Sequence, residues 1–573
     1  MVLMKRKTSA LTLILVLLLS AVAGTLLVNL IESTSIVASL KVFAQPIDSE
    51  VIHKEITIMP DGSFVVDYLC DNGTYVYDTH PEVPISRNIF GNYYTFTGDV
   101  YGHLVIQRDN IVVDGAGHKL QLEGYGSFAI SAGSRDYNRN PEFVGTNNVV
   151  ITNIEIPGFG YGIELAGSNN VVSGVTLTEG GGSNSKAIWD SGSNNIIRGC
   201  RIFANEGTGI YVAGSGAIVS DNYIADNSEV GIEFPSSAGS LRNNILVNNG
   251  QAFDFDTLPS TSNVIDASNT VDGKPVFCWV NEHDKTVPSE AGYVLLSNCT
   301  NITVQGMAVF NSSDSTTRNS NGIYLYSTKD SLIKDNYLRA GAGVKVSSSC
   351  QNITVTENYV GSGGISLTSL SNVSVTKNYV QSSGISLSGT TECLVSENTL
   401  RGCATGVSLW TAHQNRILQN NIAECDIGIS IFKSDDNVFS GNNFVSNGQD
   451  VWEQHKTWEW PLDRYYESVG NEWDRNYWSH YTGTDSNGDG VGDIPHLVYE
   501  DKKDNYPLMS LADIPEIIPE PPASSATPSL TADGTSTSLP SWGNVAVVII
   551  VSVAILALVV GAGLLVYFKK RKR

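Results

Sequence analysis

The sequence predicts an all-β chain wound as a right-handed parallel β-helix, a solenoid with turns of about 22 residues. Three observations predict it. Glycine followed by Ile or Val recurs at Gly322, Gly343, Gly364, Gly384, Gly406 and Gly428, at spacings of 21, 21, 20, 22 and 22. Asparagine recurs beside it at Asn336, Asn358, Asn378, Asn398, Asn420 and Asn442, spaced 22, 20, 20, 22 and 22. Between these columns apolar and small polar residues alternate with the strand period of two, as in Asn352-Ile-Thr-Val355 and Gly364-Ile-Ser-Leu367.

One such repeat is too short for a helix pair and buries little by itself. Coiling the chain so that each strand lies ~4.8 Å above its equivalent closes the hydrogen-bond ladders and buries one set of side chains. Ile353, Val355, Val360, Ile365 and Leu367 are expected to point in; Thr354, Thr356 and Ser366 are expected to point out. The asparagines suit an inside corner, where stacked amides bond from turn to turn. The glycines suit corner torsions that other residues resist. Right-handedness follows from the usual crossover chirality. The same phase occurs earlier at Gly162, Gly209 and Gly231, with Ala187 in the glycine place, and at Asn222 and Asn243.

The β-helix is expected over 99–447. Residues 252–297 are too long for one turn and read as an inserted hairpin or lateral loop; Ser131 to Thr146 is a second expansion. Residues 45–98 read as an N-terminal β cap, and 448–512, rich in aromatics, as a C-terminal cap.

Both chain ends carry membrane signals. Lys5, Arg6 and Lys7 precede an apolar stretch from Leu11 to Ile31, so residues 1–44 read as a signal peptide or an uncleaved signal anchor. Residues 544–568 read as one transmembrane helix, uncharged from Val545 to Phe568, followed by the basic tail 569–573, which the positive-inside rule places in the cytoplasm. Residues 513–543, rich in Pro, Ser and Thr, read as a stalk. The expected location is the cell membrane, single-pass, with the folded part outside. The net charge of −23 leaves −31 on that part once the +3 of residues 1–44 and the +5 of the last five are set aside. Such a surface repels phosphate, which excludes nucleic acid as a partner.

The repeat resembles the parallel β-helix repeats of the carbohydrate-binding and sugar-hydrolase (CASH) group, including NosD-like surface proteins. The resemblance covers about residues 50–510. It is carried by Tyr94-Thr-Phe-Thr-Gly98, by Asp109 to Gly117, and by Gly273-Lys-Pro-Val276 with Val287 to Tyr293. Asn476-Tyr-Trp478 and the stretch from Asp485 to Met509 complete it. It implies a carbohydrate or cell-envelope polymer as partner. The group spans binders, lyases, epimerases, hydrolases and a copper-delivery role, so function has to be argued from sites.

The sharpest local motif is Asp485-Ser-Asn487-Gly-Asp489-Gly-Val491-Gly-Asp493. Oxygen ligands at positions 1, 3, 5 and 9, a backbone carbonyl from Val491 and glycine at position 6 match the start of an EF-hand-type loop, so a structural Ca²⁺ is expected; position 12 is His496 where that loop has Glu. Trp452, Trp458, Trp460, Trp473 and Trp478 are either glycan-stacking rings or the plug of the last turn. Asp435 and Asp436 read as a solvated corner more than as a catalytic pair, and Lys334 with Arg339 as a solvated face; no catalytic residue is assigned. His and Met are few and unclustered, a poor match to soft copper sites. Cys403 and Cys425, 22 apart, stack on adjacent turns as a disulfide or as buried thiols. Sequons stand at Asn72, Asn298, Asn301, Asn311, Asn352 and Asn372. The favoured role is non-catalytic recognition of carbohydrate or envelope material; the alternatives are a polysaccharide-acting enzyme and an adhesive spacer.

Overall fold

A computed structural model describes residues 51–70, 75–79, 81–122, 128–134, 144–235, 238–255, 263–309, 322–339, 341–454, 457–459, 464–466 and 468–515. The expected signal segment 1–44, the stalk from 516 onward, the span 544–568 and the tail 569–573 lie outside these residues. All regular structure described is β. No helix long and apolar enough to cross a membrane occurs among the described residues.

The chain winds through three parallel sheets per turn, with equivalent residues aligned. Ile163, Ile188, Ile210 and Ile232 stack in one inward column. Ile323, Val344, Ile365, Ile385, Val407 and Ile429 stack in another. The expected inward set Ile353, Val355, Val360, Ile365 and Leu367 is buried. At the start, Val51–Ile58 pairs parallel with His103–Ile106 and antiparallel with Phe64–Cys70, so an antiparallel ribbon continues the sheet beyond the first turn.

The stretch 252–297 holds a hairpin, one of the two expectations for it, but not as an insertion into one solenoid. Thr270–Val271 pairs antiparallel with the start of Lys274–Val280, through Thr270↔Pro275 and Val271↔Lys274. The link is Asp272-Gly273, both with positive φ (49° and 78°). That is the two-residue hairpin geometry Asp-Gly favours. The chain reverses there and starts a second stack. A single 15-stranded sheet runs through the junction, but the apolar side chains form two cores. Tyr293, Leu295 and Tyr324, from the first turns of the second stack, pack against the first core. Phe253 meets Tyr293 edge-on at 5.4 Å.

The asparagine column is a buried amide ladder. Each Nδ2 donates to the Oδ1 of the next turn, from Asn336 through Asn358, Asn378, Asn398, Asn420 and Asn442 to Asn476, at 2.9–3.0 Å. It ends on the buried Asp504 carboxylate, which accepts from Asn476 Nδ2 and from Trp478 Nε1, both at 3.1 Å. In the first stack Asn222 donates to Asn244, not to Asn243. Asn243 occupies an exposed left-handed corner (φ 54°) and donates outward to Asp221.

The glycine column has two causes: Gly364 and Gly384 take the expected positive φ (64° and 69°), and close approach of the turns governs the rest. Gly322, Gly343, Gly406 and Gly428 lack positive φ, and a Cβ at Gly406 would sit 2.6 Å from the Gly428 carbonyl oxygen. Glycine is needed because adjacent turns approach too closely for a side chain. Most of the other left-handed corners fall to polar residues such as Asn301, Asp330, Asn352, Asn372, Glu392 and Gln414.

Candidate functional site

The outer face of the first stack gathers the groups with recognisable chemistry. Its strands include Phe128–Ser134, Tyr161–Leu165, Lys186–Asp190, Thr208–Val212 and Val230–Glu233. Strand alternation turns one residue per turn outward into a single row: Ser131, Glu164, Trp189, Tyr211 and Glu233. From Glu164 on, each stands two places after the glycine column, at 162, 187, 209 and 231. That is the sequence signal by which they could have been found.

Phe128, Tyr161, Trp189 and Tyr211 form a half-buried aromatic run. Their neighbouring centroids lie 5.2, 6.3 and 5.6 Å apart, and the rings are tilted or edge-on. Polar groups flank them. Glu164 is 1% exposed and its Oε2 accepts from Ser131 Oγ at 2.7 Å. Lys186 Nζ donates to Glu233 Oε2 at 2.9 Å and to Thr208 Oγ1 at 3.0 Å, and lies 5.4 Å from the Tyr211 ring centre. Glu229 reaches the same Thr208 hydroxyl at 3.4 Å. Aromatic faces bordered by carboxylates, an ammonium group and hydroxyls suit a sugar, whose C–H faces stack on rings while its hydroxyls exchange hydrogen bonds. Glu164 and Glu233 stand three strands apart, roughly 14 Å, wider than the separation at which two carboxylates flank one glycosidic bond.

Asp190, next to Trp189, lies in the inward column between Leu165 and Val212. It accepts from Asn195 Nδ2 at 2.6 Å and Gly192 N at 3.1 Å, while Oδ2 has no partner. Burial pushes its carboxyl up to about 6.

The tryptophans singled out from sequence divide. Trp473 (5% exposed) and Trp478 (1% exposed) are core residues, not stacking platforms. They lie flat on Phe439 and Phe444 at 4.1 and 4.3 Å and close the last turn. Trp452 is 38% exposed. Trp458 lies on Thr457–Glu459; Trp460 is outside the described residues. Cys403 and Cys425 are free buried thiols, which corrects the disulfide alternative. The hydrogen bond between them, then burial, push the Cys403 thiol well above its ordinary range.

In the Asp485–Asp493 loop the carboxylates serve the turn. Asp485 accepts the amides of Gly488 and Gly490 at 2.7 and 2.9 Å. Asp489 accepts the Val491 amide and Asn487 Nδ2, both at 2.9 Å. Asp493 instead accepts the Ser486 amide and hydroxyl at 2.8 and 2.7 Å, and those bonds hold it below the usual carboxylate range. Of the sequon asparagines, Asn298, Asn301, Asn352 and Asn372 are exposed; Asn72 and Asn311 lie outside the described residues. Asp435 accepts the Val469 amide at 2.9 Å and pairs with His413 at 3.5 Å, and Lys334 pairs with Glu357 at 3.1 Å.

Two family models match. Residues 111–306 match the right-handed β-helix region, and residues 261–483 match the periplasmic copper-binding protein NosD. The chain is a NosD-like right-handed parallel β-helix protein. No curated protein matches it. Among solved structures, it is similar to the A-module of a mannuronan C-5 epimerase of Azotobacter vinelandii, with 15% identity, TM-score 0.24, and 66% of this chain and 88% of that one covered. It is also similar to the tailspike protein of E. coli bacteriophage HK620 in complex with a pentasaccharide, with 10% identity, TM-score 0.24, and coverage of 63% and 69%. A third is a PL6-family alginate lyase, with 9% identity, TM-score 0.26, and coverage of 67% and 81%. Likenesses at these scores assign no substrate to this chain.

The residues present do not fit copper. Among the described residues no three His, Cys, Asp or Glu converge on a point that could hold a metal. The imidazoles are dispersed: His103 against the Phe128 carbonyl, His283 beside Asp284, His413 beside Asp435, and His496 stacked on Trp478. The thiols of Cys200, Cys299, Cys350, Cys393, Cys403 and Cys425 are all buried.

Proposed function

We propose that this protein is a membrane-anchored, cell-surface carbohydrate-recognition protein whose sugar site is the outer face of the first stack. One observation carries the reading: in-register strands place Glu164, Trp189, Tyr211 and Glu233 in one outward row, beside Tyr161 and the Lys186–Glu233 pair. The carboxylates favour neutral sugars and repel anionic ones. The membrane part of the reading rests on the apolar, uncharged run from Val545 to Phe568 and the basic residues that follow it. It includes a signal segment within 1–44, a stalk over 513–543, an external folded part and glycans on the exposed sequon asparagines. It also includes a structural Ca²⁺ at Asp485, Asn487, Asp489 and the Val491 carbonyl; Asp493 would have to turn from Ser486 to complete that set.

The test is a neutral-glycan array probed with the full chain, read together with reducing-sugar release. Binding without product, lost in Trp189→Ala, supports recognition. Product release would favour an enzyme acting on polysaccharide, a reading that the gathering of Glu229, Glu233 and Lys186 around Thr208 keeps in view. Neither binding nor product would leave the spacer.

A further inference from the structure

The second stack repeats the same two-after-glycine position with different chemistry. Lys345, Ser366, Ser386, Ser408, Ser430 and Trp452 form one outward row across successive strands. Ser347, Thr368, Ser388, Trp410 and Phe432 form the row beside it. The five strands Val344–Ser347, Ile365–Thr368, Ile385–Ser388, Thr405–Trp410 and Ile427–Phe432 contain no Asp or Glu. In a chain of net charge −23, that makes a face free of carboxylates. At the Trp452 end the strand Gln449–Glu453 carries Asp450 and the buried Glu453, and Asp254 near Tyr326 and Asp435 stand beyond the five-strand floor.

The face has a polar floor and an aromatic end. Its half-buried hydroxyls repeat at the strand spacing of ~4.8 Å, close to the length of one pyranose unit along a polysaccharide. At one end Trp410 is 52% exposed and packs on Phe432 at 3.9 Å, with Trp452 on the following turn. Lys433 lies over the Phe432 ring at 5.7 Å. At the other end the exposed Lys345 lies over Tyr324 at 5.1 Å, where the sheet emerges from beneath the first core. From Lys345 to Trp452 the row crosses five strand spacings, roughly 24 Å.

We infer that this face is a second glycan site, and that its ligand is an anionic polysaccharide strand lying along the stack, one sugar per turn, with Trp410 stacked on a ring and lysines near both ends of the floor. The inference rests on the carbohydrate reading for the type of polymer, but it concerns a different face and the opposite charge class. Carboxylate and sulfate sugars share the chemistry that the lysines would meet, so both are tested.

The full chain is titrated with polygalacturonate oligomers, dextran sulfate oligomers and neutral dextran, at low and at high salt. Binding to at least one anionic probe is expected, weakened at least tenfold by high salt, by Trp410→Ala and by Ser386→Glu, with neutral dextran much weaker. Ser386→Glu adds a charge at a half-buried surface position and leaves the core untouched, and unchanged thermal unfolding would confirm its fold. Trp189→Ala should not alter anionic binding, so the two faces fail separately. No anionic binding at low salt, or anionic binding indifferent to both variants, overturns the inference.

Discussion

Replacing Asn398 by alanine removes the middle of the buried ladder. Asn398 Oδ1 accepts from Asn378 N at 2.9 Å and from Asn378 Nδ2 at 3.0 Å. Its Nδ2 donates to the Val375 carbonyl and to Asn420 Oδ1, both at 2.9 Å. Alanine leaves two donors of Asn378 without these acceptors in a dry corner and deprives two acceptors of one donor each. An unmet buried donor costs ~1–3 kcal/mol, and Asn378 Nδ2 keeps its bonds to Val355 and Thr376. Asn420 Oδ1 also keeps its bond from the Asn398 amide, so the one unmet donor, the Asn378 amide, sets a loss of about 1–3 kcal/mol. The assay is denaturant unfolding of the full chain with hydrogen exchange at the Asn378 amide, since a solenoid can open a few turns at a time. The variant should lower the unfolding midpoint and speed exchange at Asn378 far more than at turns near Asn222. Ser386→Ala should stay within ~0.5 kcal/mol of the wild type. A loss below ~1 kcal/mol for Asn398→Ala would refute the idea that stacked amides hold the turns together.

Three further outcomes follow from particular residues. Asp190 has a folded-state value raised to about 6 from an ordinary 3.8, so its stabilising protonated form is fully present below about 3.8 and is lost as pH rises through about 6. Asp190→Asn should match the wild type near pH 4 and exceed it by ~2–3 kcal/mol above pH 7, as read from melts across pH; equal gains at both pH values would contradict this. Gly406→Ala drives a Cβ to 2.6 Å from a backbone oxygen, whereas Gly402→Ala meets nothing within 4 Å and strains only φ (62°). The first should cost about 3 kcal/mol and the second about 1 in chemical unfolding; the reverse order would reject the close-approach account of the glycine column. Added Ca²⁺ should raise the melting temperature of the wild type and not of Asp485→Ala/Asp489→Ala, and calorimetry indifferent to Ca²⁺ would remove the proposed ion.

Much of the fold is legible because a period near 22 fixes what lies above what. The inward Ile353, Val355, Ile365 and Leu367 and the ladder from Asn336 to Asn442 could be read before any coordinates. The reversal at Asp272-Gly273 could not. A hairpin within 252–297 is among the expectations, but nothing in the sequence shows that it reverses the winding and opens a second core, because the period resumes after it. The adjacent pair Asn243-Asn244 gives two candidates for one column, and only the hydrogen bonds show which faces in. The outward row escaped notice because Glu164, Trp189, Tyr211 and Glu233 are 22 to 25 residues apart and mix carboxylates with aromatic rings; strand register unites them. Trp473 and Trp478 stood out by composition, yet their density reflects the closing of a core.

The position of a bound sugar tests the central claim most directly. A crystal of the chain soaked with the tightest neutral oligosaccharide from the array should show a pyranose ring against Trp189 or Tyr211, with hydroxyls within hydrogen-bond reach of Lys186 or Glu233. A sugar seated elsewhere while that face stays bare would contradict the account.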